Sequence, residues 1–567
     1  MLGLNIVDWV VIVVYLLGIT LIGFWAVRKV RSTASYFIGD RKFGKVMMAF
    51  FMFGSGTHSD QAVSVAAKTY RSGASGIWYQ WLWLFVTPFF WLIAPFFRRM
   101  RAVTTGDYFE IRYGRSVSGL YAAMGILPLL VAIGVMLKGS GAIVEAVSGG
   151  AISSELAIIA MTVIFLIYGI AGGLSAAIAT NFVQGLLTVV LSFLILPFAL
   201  SEVGGMSGLR ERISDPNMLS LVSPGEITLF YIIIIAFNAL VGWVTMPETM
   251  VNCAAGKTEM EGRIGVTAGI FGKRICTIAW MLTGLCAVVL YTELADADLA
   301  YGKMARDLLP DIAPGLLGLF IACLLASVMS TCDSLMVVAS ALFTENLYRK
   351  FFVVGKDDKH YTLVGRITSA LVVILGIYVA FNLQSVVRGL EFYWMVSALM
   401  GIAFWVGLFW RRATSAGAWA ATLTSLSVFL FTSTKPLGVI PWDFNAHFAD
   451  KLPAFMLWEG KLYLPWQMII YLSSGFVVLV VVSLFTKKAP AENLDRFYAC
   501  LRTPVSPDEP ETEPFTLPAG VQPGPRNVLI RHSDFEIPKP TLIGIGGFLA
   551  AWLGVALLVG AIYWIIQ

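Results

Sequence analysis

The sequence predicts an all-α polytopic membrane protein of about 14 transmembrane helices. Three observations carry this expectation. First, of 567 residues 58% are hydrophobic and only 13% are charged, with a mean hydropathy of +0.78. A water-soluble domain averages about 25% charged residues, so most of this chain is solvated by lipid. Second, apolar runs of about 20 residues, enough to cross a hydrocarbon core, recur along the chain. Third, Lys and Arg gather after nearly every second run, the pattern that places basic loops on the cytoplasmic side.

In chain order the runs lie near 6–27, 44–67, 75–97, 117–143, 153–171, 174–200, 226–250, 269–292, 314–343, 362–383, 389–410, 414–432, 463–486 and 541–566. The first is too long for the apolar part of a signal peptide and no small-residue cleavage site follows it, so it reads as a retained helix. Arg28, Lys29, Arg31, Arg41, Lys42 and Lys45 follow the first run, and Arg98, Arg99, Arg101, Arg112 and Arg115 the third. Lys257, Arg263, Lys273 and Arg274 follow the seventh, and Arg349, Lys350, Lys356 and Lys359 the ninth. Arg411 and Arg412 follow the eleventh, and Lys487 and Lys488 the thirteenth. Alternate loops are mixed or acidic, as at Glu293, Asp296, Asp298 and Asp307. Both termini are therefore expected outside a plasma (inner) membrane. Residues 433–462 read as an outer loop. Residues 487–540, rich in Pro and acids, read as a cytoplasmic linker with little structure of its own.

Several function classes fall away. The six Cys form no CxxC or Cys/His pattern and the four His are scattered, so a metalloenzyme has no support. No nucleophile–base pair marks an intramembrane enzyme. The net charge of +5 belongs to the loops and gives no reason to expect nucleic acid.

Two runs are interrupted. The second carries Gly54, Gly56, Thr57, His58, Asp60 and Gln61 in its middle, and the seventh, five runs later, carries Thr245, Pro247 and Glu248. Paired broken helices in corresponding positions of two halves point to an inverted-repeat transporter, where freed carbonyls and half-helix ends can hold an ion. The plainer reading is a pair of packed, kinked helices, which leaves Asp60 and Glu248 in the membrane without a role.

The ninth run carries Ala326, Ser330, Thr331, Asp333 and Ser334, followed by Thr344, Glu345, Asn346, Tyr348 and Arg349. This resembles the sodium/solute symporter family (sodium/glucose and sodium/proline type), whose members carry A-x-x-x-S-[ST]-x-x-[ST] and then T-x-D-[IL]-Y. Asn346 stands where the family has Asp. Gly172 and Gly173, Thr180 to Gln184, Thr105 to Gly114 and Gly407 to Arg412 match in family order, so the resemblance covers roughly residues 6–486. It implies a leucine-transporter-like fold with a five-plus-five inverted-repeat core whose second and seventh helices are broken. The implied organisation is an extra helix and inner loop over 1–43 and a first repeat over 44–225. A second repeat over 226–412, accessory helices over 413–486, the polar linker over 487–540 and a last transmembrane helix over 541–567 follow.

The resemblance also implies sodium as coupling ion, bound by the Ser330 and Thr331 hydroxyls, Ser327 and carbonyls at His58 and Gln61. Without it, these hydroxyls would read as helix-packing groups bonded to backbone. Asn181 replaces an Asp that some members use for a second sodium, while Asp333 replaces a hydroxyl. A second ion site of Asp333, Ser334 and Asn181 stands beside a plain vestibule role for Asp333. For the solute, the match implicates Gln80 and an Asp at position 60. Lys138, Trp243 and Glu248 are further candidates from their polarity or aromatic character in apolar helices, each against a packing alternative. Met246 and Leu390 stand where sugar carriers have amides, so an amino acid, carboxylate or related small polar solute is expected rather than a sugar. The overall expectation is a sodium-coupled symporter working by alternating access. Its alternatives are a proton-coupled carrier of the same fold and a non-transporting membrane sensor.

Overall fold

The computed structural model describes residues 4–27, 44–54, 56–102, 104–435, 440–510 and 512–567; the side chains of residues 20, 22–27, 164, 165, 167–182, 251 and 358 lie outside that set. The chain is a bundle of helices. In order these are α1 (Ile6–Val27), α2 (Lys45–Gly54), α3 (Ser59–Ser72), α4 (Trp78–Arg99), α5 (Thr105–Tyr113) and α6 (Arg115–Ser148). There follow α7 (Ser154–Leu194), α8 (Leu229–Trp243), α9 (Pro247–Ala254), α10 (Glu259–Leu290), α11 (Leu316–Ala341) and α12 (Asp358–Asn382). The last are α13 (Val386–Ser397), α14 (Gly401–Phe409), α15 (Ser415–Phe431), α16 (Leu464–Phe485), α17 (Ala491–Arg502) and α18 (Leu542–Ile566). Among the described residues, nine helical segments are long and apolar enough to cross a membrane, or ten if α8 and α9 form one bent span.

Most of the expected runs are seen as helices, with three differences. The fifth and sixth are one helix, α7, rather than two. The eleventh is broken into α13 and α14, with Ala398, Leu399 and Met400 between them. The family-like run after Ala341 continues as a π-helix, Leu342–Phe352, a form that relaxes the α-helical hydrogen-bond register.

Packing sorts the helices into two groups. In one, α10 lies against α2, α3 and α4; in the other, α6, α7, α11 and α12 lie against one another. The first group packs closely because α10 offers glycine where α2 and α3 cross it. A Cβ on Gly269 would stand 2.7 Å from Met52 Cβ, and one on Gly284 would stand 2.8 Å from Thr69 Cβ. In lipid, where apolar burial gives little drive, such close backbone contact is a main source of helix association. The α1 helix packs on α7 and α11. Its buried Asp8 accepts a 2.8 Å bond from Gly318 N in the first turn of α11, where a negative charge faces the positive end of a helix. Towards the other end of the chain, Arg210 Nη2 donates to Ile565 O at 2.7 Å.

The opposite face is the basic one, and its arginines are buried struts rather than solvated charges. Arg112 Nε, Nη1 and Nη2 donate to the carbonyls of Gly407 (2.9 Å), Ala413 (3.1 Å) and Trp410 (2.8 Å), closing the C-terminal end of α14. Arg99 forks onto Glu259 at 2.7 and 2.9 Å. Residues 487–540, expected to have little structure, instead fold onto this face. Phe497 and Phe515 stack at 4.9 Å, and Phe497 meets the Tyr108 ring of α5 at 5.5 Å. Phe515 N donates to Met100 O (2.9 Å) and Glu536 N to Phe409 O (2.8 Å). Glu509 takes both 2.5 and 2.9 Å bonds from Arg101, and Glu536 a 2.7 Å bond from Arg411. The composition reading failed because three of the acids, Asp495, Glu509 and Glu536, pair with Arg411 and Arg101 beside the helix ends.

This packing makes a prediction. Glu509→Gln removes a buried charge-assisted pair worth about 2–3 kcal/mol, so the thermal midpoint of the detergent-solubilised protein falls by several degrees. Asp508→Asn, at an exposed neighbour, leaves it unchanged. Equal midpoints for the two variants would mean that the segment is a tether after all.

Candidate functional site

The two broken helices make the site. Between α2 and α3, residues 56–58 are non-helical, and His58 is extended (φ −131°, ψ 159°) before α3 begins. Gln61 Nε2 reaches back to Gly56 O at 3.0 Å and to His58 Nδ1 at 3.3 Å, and Thr57 Oγ1 donates to Phe53 O at 2.8 Å. The absence of a side chain at Gly56 leaves the space that the amine of Lys273 occupies. Between α8 and α9 the axis bends by 70°. Pro247 opens α9, a position where its missing N–H costs nothing. Thr249 Oγ1 donates to Trp243 O (2.7 Å), and Thr245 Oγ1 to Gly242 O (2.9 Å) and Ser397 O (3.1 Å). Side-chain hydroxyls thus occupy carbonyls that the helix has released.

Each half-helix that follows a break carries a carboxylate in its first turn, Asp60 in α3 and Glu248 in α9, where the helix dipole favours negative charge. Both line one cavity of about 120 Å³, together with His58, Gln61, Gln80, Trp243, Lys273, Arg274 and Tyr393. Buried Asp60 Oδ1 and Glu248 Oε2 have no hydrogen-bond partner among the described residues, and His58 Nδ1 stands 3.6 Å from Asp60 Oδ1. Gly139 lets α6 approach, since a Cβ there would stand 2.9 Å from Asp60 Cα. Trp243 packs on Phe90 with ring centroids 3.8 Å apart and planes tilted by 34°, which fixes one wall. Met246 and Leu390 add apolar surface to the same cavity.

On the side away from the basic face a polar lattice closes over this cavity. Lys68 pairs with Glu226, which also accepts from Ser72 Oγ at 2.7 Å. Tyr79 OH donates to Glu391 at 2.6 Å, Tyr231 OH to Tyr79 OH at 3.1 Å, and Arg388 Nη1 lies 3.0 Å from Glu391.

Ser327, Ser330, Thr331 and Asp333 are all buried on α11, which packs against α3. Thr331 lies one helical turn before Leu335, a cavity residue. Thr331 Oγ1 donates to Ser327 O (3.3 Å) and Ser334 Oγ to Ser330 O (3.0 Å). A hydroxyl that donates in this way keeps its oxygen lone pairs for another ligand. Ser327 Oγ is buried without a hydrogen-bond partner among the described residues. These oxygens fit a hard cation. Asp333 is an electrostatic neighbour of Tyr15 on α1. The side chain of Asn181 lies outside the described residues.

Of the five residues expected around the solute, the structure brings Asp60, Gln80, Trp243 and Glu248 to one cavity and leaves Lys138 out. Lys138 is half-buried, with Asp298 and Glu155 as electrostatic neighbours. The cations that do line the cavity are Lys273 and Arg274, which lie inside the expected run 269–292 but group by charge pattern with the basic residues after the seventh run. The capping box Thr258/Glu261 starts α10 at Glu259, which puts Lys273 about 21 Å along the helix. That Thr-x-x-Glu spacing was the available signal.

The chain is similar to several known transporters. The chain is 24% identical over 444 residues to the osmoregulated proline transporter OpuE of Bacillus subtilis (strain 168), covering 75% of this chain and 88% of the relative. It is 25% identical over 557 residues to sodium/glucose cotransporter 1 of Sus scrofa, covering 88% and 82%. Its fold is similar to that of a Na+-coupled sialic acid symporter in a substrate-bound outward-open state, with a TM-score of 0.70, 18% identity and 86% and 99% of the two chains covered. The sodium:solute symporter family matches residues 36–425, well over half of the chain, and the protein belongs to that family.

Proposed function

We propose that the protein is a sodium-coupled symporter of a small polar solute, working by alternating access. One observation carries the reading: both broken helices open on a single cavity lined by charged and amide side chains, beside a buried row of hydroxyls on α11. Sodium is common to the printed names of the glucose and sialic acid carriers, while the solutes of the compared proteins differ. The ion is therefore the transferable part. Sodium would sit against the Ser330 and Thr331 hydroxyls, Ser327 and carbonyls at the His58–Gln61 turn, as a transported ion. The solute would occupy the cavity between Asp60, Gln80, Trp243 and Glu248.

The rest of the reading follows. The core is a five-plus-five inverted repeat over 44–225 and 226–412, and the protein sits in the cell membrane with the basic face inside and both termini outside. The lattice of Lys68, Glu226, Tyr79 and Glu391 is then the outer closure, which must part for the solute to enter. Apolar Met246 and Leu390 favour an amino acid or carboxylate over a sugar. A proton-coupled carrier is the second reading, favoured by the buried, incompletely bonded carboxyls of Asp60 and Glu248.

Replacing Ser330 and Thr331 together by Ala should raise the sodium concentration for half-maximal uptake at least tenfold in proteoliposomes, with solute affinity at saturating sodium changed little. Unaltered sodium dependence would place the ion elsewhere. Asp333→Asn distinguishes a second ion site, with Ser334 and Asn181, from a vestibule role. A second site predicts a lower sodium Hill coefficient and a smaller charge-to-solute ratio, and a vestibule role leaves both as in the wild type.

A further inference from the structure

We infer that Lys273 and Arg274 of α10 receive an anionic group of the solute, and that the solute is a small zwitterion whose cationic group faces Asp60 and Glu248. The inference rests on the symport reading and names its substrate class. Lys273 and Arg274 are 4% and 3% exposed. Both line the cavity, and neither has a carboxylate within 4.0 Å among the described residues. Adjacent residues on a helix point about 100° apart, and these two approach the cavity from different sides. The Lys273 amine reaches the break at Gly56. Arg274 is held beside α4: its Nη1 donates to Gln80 O and lies 3.4 Å from Gln80 Oε1, and Trp81 Nε1 donates to Arg274 O at 3.1 Å. The Arg274 Nε is buried with no hydrogen-bond partner among the described residues. A guanidinium fixed at one nitrogen with another still free is suited to a planar carboxylate.

The carboxylates are in the mirror situation. Glu248 is an electrostatic neighbour of Lys273 but makes no ion pair with it, and among the described residues His58 is the one basic side chain within 4.0 Å of the Asp60 carboxylate. Buried charges without close partners are costly, and a ligand that supplies the partners is favoured accordingly. A bare anion satisfies the cations and leaves two carboxylates uncompensated. A bare cation does the reverse, and a neutral polyol answers neither. A zwitterion answers both and adds no net charge, so sodium is the only net charge carried across. Arg274 and Lys273 thus take the place that Lys138 was expected to fill.

The test uses the full-length protein in detergent, with thermal shift and calorimetric titration in sodium or potassium chloride. Glycine, proline and glycine betaine represent zwitterions, propionate an anion, ethanolamine a cation and glucose a neutral solute. A zwitterion should give the largest sodium-dependent response. Arg274→Gln and Lys273→Gln should each weaken that response at least tenfold while keeping the shift given by sodium alone. Arg274→Lys should recover part of the loss, and Lys138→Gln should have no effect. Should Arg274→Gln fail to fold, Lys273→Gln carries the same readout, because its side chain makes no hydrogen bond among the described residues. A sodium-dependent response led by propionate, ethanolamine or glucose overturns the inference and leaves symport standing. So does unchanged zwitterion affinity in Lys273→Gln. No sodium-dependent response to any probe overturns both.

Discussion

At the two breaks the chain gives up helical hydrogen bonds in a bundle that lipid surrounds, and lipid offers none in return. The surrounding structure follows from how those groups are answered. Thr57, Thr245 and Thr249 turn their hydroxyls onto released carbonyls, and Gln61 turns its amide back onto Gly56. Because the answers come from side chains, the backbone at each break is held in place without a regular helix. The half-helices beyond the breaks present their positive ends inward, and Asp60 and Glu248 stand at those ends. Glycines at 56 and 139 then let Lys273 and α6 come close enough to close a small polar space.

The basic face obeys the same economy of charge. Its arginines cap helix ends and pair with acids of the 487–540 segment, so a feature that orients the chain in a membrane also binds its last polar stretch to the bundle. Arg99, Glu259, Arg101 and Glu509 connect the ends of α4 and α10 to that stretch, while Arg411 and Glu536 connect it to the end of α14. Movement of the α10 group against the α6, α7, α11 and α12 group would have to carry or release these contacts.

Much of this was legible in the sequence. The apolar runs gave most helices, and Gly54, Gly56 and Pro247 gave both breaks at the right places, because lipid allows such residues mid-span only where the freed backbone is answered. The serine and threonine run gave the buried hydroxyls of α11. The rest was not legible from periodicity. The helix break at Ala398–Met400 has no Pro and is flagged only by Gly401, so it follows from packing against α8, where a Cβ on Gly401 would press on Val241 Cγ1 at 2.7 Å. Lys273 and Arg274 stand in the first turns of the expected run 269–292 and so group with the basic residues that follow the seventh run; the capping box starts α10 ten residues earlier, at Glu259, and carries them deep into the helix. The linker looked unstructured because composition cannot show that Asp495, Glu509 and Glu536 each meet an arginine.

The central claim is that a sodium gradient drives the solute through the cavity at the breaks. The most direct measurement is accumulation of a solute identified by thermal shift, in proteoliposomes with an imposed inward sodium gradient, compared with potassium and proton gradients of equal size. The account predicts accumulation above equilibrium with sodium alone, abolished when the sodium gradient is collapsed by an ionophore. Equal accumulation under a proton gradient without sodium, or mere equilibration under every gradient, would contradict it.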